Sequence, residues 1–137
     1  MRATGTFEVA AFDAAPVPPP SIATAVPVGV ATMRKLYTGE IAGESATLFT
    51  FAYDQTTGAG TYVAMESFRG TVAGRSGALN FAHSATTTTG ADRAAEFFVI
   101  VPGSGTEALA GITGAGGLTV EPDGTHRVWF DYDFPAL

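Results

Sequence analysis

One glycine-rich segment, residues 101–117, constrains the fold of this chain more than any other. It reads Val-Pro-Gly-Ser-Gly-Thr-Glu-Ala-Leu-Ala-Gly-Ile-Thr-Gly-Ala-Gly-Gly and directly follows the apolar run Phe-Phe-Val-Ile. Because glycine has no Cβ, such a pattern is typical of two long antiparallel strands that are joined tightly, with one backbone close to another. The segment therefore predicts a small closed β-barrel. It does not indicate a reaction.

The rest of the chain consists of short alternating segments separated by turn residues, and no helical period exceeds about two turns. Strands are predicted at residues 4–12, 23–37, 41–53, 61–68, 79–89, 95–101, 113–120 and 125–134. The second strand is expected to break at Pro27 and Gly29, and residues 69–77 are expected to form a bulged or bent connection. Turns are predicted at residues 90–93 and 122–124, and at most one helical turn at residues 107–110. Four prolines in residues 13–21 predict an extended loop.

Eight strands in this length fit a barrel or a sandwich. The barrel is favoured because closure removes every exposed strand edge. We therefore predict a single all-β domain over residues 1–137, an antiparallel eight-stranded closed β-barrel with an interior wide enough for side chains or one small ligand.

Composition excludes several classes of partner. The chain has 13 acidic and 7 basic residues, a net charge of −6 and no cysteine. Nucleic acid is not an expected partner, because phosphate binding needs a basic face. No apolar run reaches the ~18 residues of a membrane span, and the residues after Met1 lack a signal-peptide core. A cytoplasmic protein is expected.

Four motifs carry a family resemblance that covers nearly the whole chain. They are Ala-Thr-Gly-Thr-Phe-Glu-Val at 3–9, Tyr-Thr-Gly-Glu-Ile-Ala-Gly-Glu at 37–44, Gly-Arg-Ser-Gly-Ala at 74–78 and Val-Pro-Gly-Ser-Gly-Thr at 101–106. The chain resembles a bacterial family of uncharacterised small proteins with the allene-oxide-cyclase-like barrel. Gly-Ser-Gly-Thr followed by Gly-Ala-Gly at 114–116 also resembles a signature of plant allene oxide cyclases and dirigent proteins. The resemblance implies a lumen that binds an apolar small molecule and steers its cyclisation or isomerisation without a cofactor, although one barrel can host unrelated roles.

Side-chain alternation predicts which residues face the lumen. In the last strand the charges of Arg127, Asp131 and Asp133 should face water, which turns the opposite face inward and leaves Trp129 outside, at a possible subunit contact. In the fifth strand the apolar face contains His83. The fourth strand is ambiguous, because Glu66 lies among large apolar residues while the opposite face is also apolar. The predicted catalytic residues are Glu66, His83 and Tyr132, and the predicted substrate-binding residues are Tyr62, Phe81, His126, Val128 and Phe130.

Each candidate has a purely structural interpretation. The two histidines fit general acid–base catalysis, but each can also bond to backbone or water at a strand end. Glu66 in an apolar pocket would have a raised pKa and serve as a base; otherwise it pairs with Arg69 or Arg75. Tyr132 can donate to a substrate oxygen or simply pack.

Other patterns point to structure. Ser104 lacks the strand–Gly-x-Ser-x-Gly–helix context of a nucleophile elbow. Residues 111–117 lack the Lys-Ser/Thr pair of a phosphate loop. Arg75 can seat an anion, although a turn is favoured there. No metal site is predicted, with a His-Glu-His set from different strands as the remaining alternative.

Three functions remain. The first is a cofactor-independent isomerase, cyclase or lyase that acts on an apolar metabolite in the lumen. The second is a barrel that binds or carries a hydrophobic small molecule. The third is a filled barrel that acts through its surface, with Trp129 and the Pro-rich loop as the interface. A dimer or trimer through the outer sheet fits any of them.

Overall fold

A computed structural model describes residues 1–89 and 92–135, in which eight strands form one antiparallel ring. Each strand pairs with the next in sequence, and the last pairs with the first. The strands are β1 (Arg2–Ala14), β2 (Val28–Gly39), β3 (Ile41–Tyr53), β4 (Gly60–Val72), β5 (Arg75–Thr87), β6 (Ala94–Ile100), β7 (Thr113–Val120) and β8 (His126–Asp133), with one 3-10 turn at Glu107–Leu109. The predicted all-β, eight-stranded architecture and its single short helical turn are confirmed. Among these residues, no helix has the length and apolar character needed to cross a membrane.

The bounds of six strands differ from the prediction, most of all at the start of β2 and at the β4–β5 connection, and the break predicted at Gly29 is wrong because β2 runs through it. The second strand begins only at Val28, because Pro27 ends the extended loop that precedes it. The bent connection predicted at residues 69–77 is wrong: β4 continues to Val72, and β5 begins at Arg75 after a tight turn at Ala73 and Gly74. Of the turn predicted at 90–93, residues 90 and 91 lie outside the described residues.

The two ends of the ring differ. At the closed end, where β1, β3, β5 and β7 begin, residues 101–112 link β6 to β7, and Leu109 and Ile112 are fully buried. The prediction of a tight joint between these two strands is therefore wrong. The close approach of one backbone to another, which the glycines also predicted, is confirmed, because a Cβ on Gly105 would overlap the carbonyl oxygen of Leu109. At the opposite, open end no comparable segment fills the lumen among the described residues.

One join in the ring is much shorter than the others. The β6–β7 join consists of two residue pairs, Val99 with Ala115 and Ile100 with Gly114. By contrast, thirteen pairs join β3 to β4. We call this short β6–β7 join the seam. Above it the two strands diverge towards the open end, so the wall there is held by side chains rather than by a backbone ladder.

Aromatic rings fill the lumen beneath the mouth of the open end, towards the closed end. Phe81 packs against Phe98 and Phe130 with ring centroids 5.0 and 5.2 Å apart, and Phe130 contacts Phe68 edge-on. The inward face predicted for β8 is correct, since Val128, Phe130 and Tyr132 are all buried. The sequence did not determine which face of β4 is turned inward. In the structure the face towards the lumen carries Tyr62, Ala64, Glu66 and Phe68.

Candidate functional site

A fully buried carboxylate lies at the centre of the lumen. Glu66 has no exposed surface. Its Oε1 accepts hydrogen bonds from the Tyr37 hydroxyl at 2.6 Å and the Ser45 hydroxyl at 2.7 Å. Its Oε2 accepts from the Lys35 ammonium at 2.7 Å and lies 2.6 Å from Nε2 of His83. Each carboxylate oxygen therefore takes part in two hydrogen bonds, as a charged group in an apolar interior requires.

The strand period explains this convergence. Lys35 and Tyr37 are two residues apart on β2 and face the same side, and Ser45 on β3 lies directly opposite Lys35. The Lys35 ammonium also lies 4.5 Å from the ring centre of Phe7, which supplies a cation–π contact. The polar side chains of this cluster therefore come from inward positions on four consecutive strands, β2 to β5.

The charge state of Glu66 differs from the sequence-based expectation. Burial by itself would raise the pKa of this carboxyl. The hydrogen bond from His83 and the charge of Lys35 outweigh burial and lower the pKa of Glu66 to about 2. The raised pKa expected from an apolar pocket is thus wrong, because the pocket is not apolar at the carboxylate. The predicted partners Arg69 and Arg75 are not involved.

A chain of hydrogen bonds leads from Glu66 towards the open end. Nδ1 of His83 lies 2.9 Å from the Tyr62 hydroxyl, which accepts a hydrogen bond of 2.8 Å from the Arg93 guanidinium. Arg93 in turn donates to Glu96 at 2.7 Å. Arg93 can only donate, so the Tyr62 hydroxyl accepts from Arg93 and donates its own hydrogen to Nδ1 of His83. Nδ1 is then the acceptor nitrogen of the neutral imidazole, and Nε2 carries the hydrogen that is donated to Glu66. The network thus assigns the tautomer of His83.

Two members of this chain have shifted pKa values that keep them neutral. Burial lowers the pKa of His83, and the charges of Lys35 and Arg93 add to this effect against the opposing hydrogen bond to Glu66. Burial raises the pKa of Tyr62, against the opposing hydrogen bond from Arg93. At neutral pH the site therefore holds an ionised Glu66, a neutral imidazole and a neutral phenol.

A cavity of about 360 Å³ opens beside Tyr62 at the open end of the ring. The ring of Phe49 stacks on that of Tyr62 with centroids 4.9 Å apart. Below this level, Thr47 on β3 is paired directly with Glu66 on β4, and its buried hydroxyl has no hydrogen-bond partner among the described residues. The cavity is lined by Phe12, Phe49, Phe51, Tyr53, Gln55, Gly60, Thr61, Tyr62, Ala85 and Thr87. We call it the mouth cavity.

A second cavity of about 140 Å³ lies where β6 and β7 diverge above the seam. Its lining includes His83, Arg93 and Glu96, together with Trp129 from the outer wall. Tyr62 lines the mouth cavity and is bonded to both His83 and Arg93, which line the second cavity. The hydrogen-bonded chain therefore lies between the two cavities.

The structure separates the predicted site residues into two groups. Glu66, His83, Tyr62 and Phe81 are brought together, since Phe81 stacks on His83 at 5.8 Å. Phe130 packs beneath this group, against Phe81, and Val128 is in the core. The other two lie elsewhere: Tyr132 packs on Phe134 towards the closed end, and His126 stacks on Phe7 at 4.9 Å. The two histidines do not form a pair.

Three residues outside the predicted site have structural contacts. Ser104 bonds to the backbone of Asn80 and Val101, in agreement with its structural interpretation. Arg75 lies over the ring of Phe134 at 4.2 Å. Trp129 is partly covered by its own chain, since a Cβ on Gly117 would overlap its ring and Arg2 lies over it at 5.5 Å.

Sequence reasoning missed Lys35, Tyr37, Ser45 and Arg93. A signal for the first was available: Met33, Lys35 and Tyr37 share one face of β2, and a lysine on that face is unusual unless it has a buried partner. No such signal exists for Arg93, which precedes β6. Within residues 1–89 and 92–135 no three His, Asp or Glu side chains are placed to hold a metal ion.

These features define a class of protein: an antiparallel eight-stranded ring with a buried, hydrogen-bonded carboxylate beneath an aromatic cavity. Residues 3–132 match the family described as protein of unknown function (DUF3224), and the chain belongs to that family. It is similar to the 1.84 Å crystal structure of a DUF3224 protein of unknown function from Shewanella oneidensis MR-1. That match has 26% identity and a TM-score of 0.86, and covers 100% of this chain and 98% of the other. No curated protein matches the chain.

Proposed function

We propose that this protein is an isomerase, cyclase or lyase that acts on an apolar small molecule held in the mouth cavity, using acid–base groups of its own chain. The observation that carries the proposal is the hydrogen-bonded chain from Tyr62 through His83 to Glu66, whose first member lines the cavity. The resemblance of the glycine motifs to allene-oxide-cyclase-like barrels supports the same class of chemistry.

The tautomer of His83 gives the network a direction. A substrate C–H proton moves to the Tyr62 oxygen while the Tyr62 proton moves to Nδ1 of His83. The substrate is left as a carbanion or enolate, and the resulting imidazolium lies against the Glu66 carboxylate. Returning the proton to a different substrate carbon completes an isomerisation and restores the neutral phenol and imidazole. General acid–base transfer of this kind contributes roughly 10²–10⁴-fold to rate.

Each neighbour of the network has a defined part in this scheme. Glu66 does not act as the base, because its pKa is about 2 and all its acceptor positions are occupied. It is a positioning residue that fixes the tautomer of His83 and stabilises the imidazolium. The hydrogen bond from Arg93 to the Tyr62 oxygen favours transfer of the Tyr62 proton to His83. The aromatic walls hold the substrate in one conformer, which supplies the orientational part of the rate.

A carrier is the second candidate. It is favoured by the saturation of Glu66, since a carboxylate bonded by Lys35, Tyr37, Ser45 and His83 has the features of a structural ion. A carrier needs the mouth cavity but not proton transfer. The two functions therefore differ in whether removing the Tyr62 hydroxyl abolishes chemistry.

The test uses phenylacetone as a neutral apolar ketone with exchangeable α-protons. Its binding is measured by NMR titration and its deuterium uptake in D₂O by NMR integration. We expect the protein to accelerate exchange and Tyr62→Phe to reduce the acceleration by about 100-fold or more, with binding retained. Tyr53→Phe is the matched control, since it removes another hydroxyl from the same cavity and should leave exchange unchanged. Binding without accelerated exchange favours the carrier, and unchanged exchange in Tyr62→Phe refutes the proton path.

A further inference from the structure

The acidic excess of this chain is concentrated at the open end of the ring. At or beyond the strand ends there, six carboxylates face two arginines. They are Asp13, Asp54, Asp92, Glu96, Glu121 and Asp123, against Arg93 and Arg127. Both arginines are already paired, Arg93 with Glu96 and Arg127 with Glu121. The four aspartates have no ion-pair partner in the described part of the chain, so the rim of the mouth cavity carries net negative charge.

The closed end is different. The carboxylates and arginines are nearly balanced there, five against four: Glu40, Glu44, Glu107, Asp131 and Asp133 against Arg2, Arg34, Arg69 and Arg75. Arg2 pairs with Asp131, and Arg34 and Arg69 both bond to Glu44. The negative potential of the molecule is therefore directed to one side, the side on which the mouth cavity opens. A concave apolar surface rimmed by charge of one sign raises the local concentration of oppositely charged ligands.

The walls of the mouth cavity suit a cation. Of the ten described residues that line the cavity, five are aromatic and none is charged. Aromatic ring faces carry negative electrostatic potential and attract cations. One wall already shows this behaviour, since the Arg93 guanidinium lies 5.5 Å from the ring centre of Tyr62.

We propose that the mouth cavity selects an apolar organic cation, an ammonium group carried on an aromatic or aliphatic body, over a carboxylate of the same size. This inference rests on the proposed function only in taking the mouth cavity as the ligand site. The rings and the rim both favour the cation. A carboxylate ligand meets repulsion from the rim and finds no charged residue in the cavity wall, while the nearest guanidinium is already bonded to Glu96.

Three probes of one size test the proposal: benzyltrimethylammonium, its neutral isostere neopentylbenzene, and 3-phenylpropionate. Dissociation constants are measured by NMR titration at pH 7. We expect the cation to bind at least about tenfold more tightly than the carboxylate, and the difference to shrink between about 0.02 M and 0.5 M salt because ions screen the rim.

Variants separate the contributions of the rings and the rim. Phe51→Leu keeps an apolar wall but removes an aromatic ring. It should therefore weaken binding of the cation and change binding of neopentylbenzene little. Asp13→Asn should raise the dissociation constant of the cation about twofold, whereas Glu107→Gln at the closed end should leave it unchanged.

Tighter binding of 3-phenylpropionate, or equal binding of all three probes, overturns the proposed selectivity and leaves the cavity as a ligand site. Failure of all three probes to bind also overturns the proposed selectivity, and phenylacetone binding then decides whether the mouth cavity is a ligand site. The phenylacetone experiment tests the proton path independently of either result.

Discussion

The buried ion pair of Lys35 and Glu66 makes a quantitative prediction about stability. Glu66→Gln preserves the shape of the side chain but removes its charge. The amide NH₂ of the glutamine then also faces hydrogen-bond donors, because the groups around this position, among them the Lys35 ammonium and the N–H of His83, all donate. The ammonium is then buried without a counter-charge. Breaking a buried pair from one side costs about 3–5 kcal/mol, so the variant should lose that much free energy of unfolding at pH 7.

A separate magnitude follows from the pKa of Glu66. Its value of about 2, against an ordinary 4.5, corresponds to about 3 kcal/mol of stability, since each pKa unit is worth about 1.4 kcal/mol. Because the folded-state pKa is depressed, this stability is fully present above pH 4.5. It is lost as the pH falls towards 2, where the unfolded chain binds the proton first.

Urea denaturation at pH 7, 5, 4 and 3, followed by tryptophan fluorescence, measures both effects. The stability gap between the native chain and Glu66→Gln should narrow from pH 5 to pH 3. Comparing two chains at each pH cancels the surface carboxylates that they share. Glu44→Gln, which removes an exposed paired carboxylate, is the control and should cost much less. A gap that stays constant down to pH 3 would refute the assignment of a low pKa to Glu66.

Adding Lys35→Met to Glu66→Gln should restore much of the lost stability, because no unpaired ammonium then remains; strictly additive losses in the double variant would contradict a direct pair. The imidazole of His83 should titrate below pH 6.5 in NMR spectra of the folded chain, and a midpoint above 6.5 would show that Glu66 outweighs burial. Phe81→Ala should lower the free energy of unfolding by about 3–5 kcal/mol, as measured by urea denaturation, because it leaves a cavity in the aromatic core. Gly105→Ala should be far more damaging in thermal melts than Gly124→Ala, since a Cβ at Gly105 overlaps the Leu109 carbonyl oxygen, while at Gly124 it meets no atom and only the left-handed φ of +90° opposes alanine, at about 1–2 kcal/mol; equal shifts would contradict this.

The ring of strands was predictable because alternation and turn residues mark most of its elements. The bounds of β3 and β7 were predicted correctly, and the inward face of β8 follows from its charges. The β4–β5 turn was missed because Gly70 and Gly77 lie within paired strands. Their positions beside neighbouring backbone, rather than any turn, require glycine. Local pattern does not distinguish these two uses of the residue.

The site was only partly predictable. Alternation brought Glu66 and His83 into consideration, but the lowered pKa of Glu66 results from the hydrogen bond from His83 together with the charge of Lys35, a residue 31 positions away. Whether a carboxylate meets a cation or an apolar wall is decided by strand register, which turn positions and hydrophobic alternation only constrain. The role of Tyr62 as the link between cavity and buried charge likewise depends on Arg93, which lies outside the regular alternation.

The short seam between β6 and β7 has a consequence for aggregation. If any one join separates, the ring opens into an eight-stranded sheet with two edges, and the join with only two residue pairs, between β6 and β7, has the fewest backbone contacts to break. Opening there creates two unpaired strand edges, one of them bearing Phe97 and Val99, whose side chains are 46% and 40% exposed even in the intact ring. Such edges pair readily with other chains. Mild heating should therefore produce intermolecular β-sheet that begins at β6 before the remaining strands unfold.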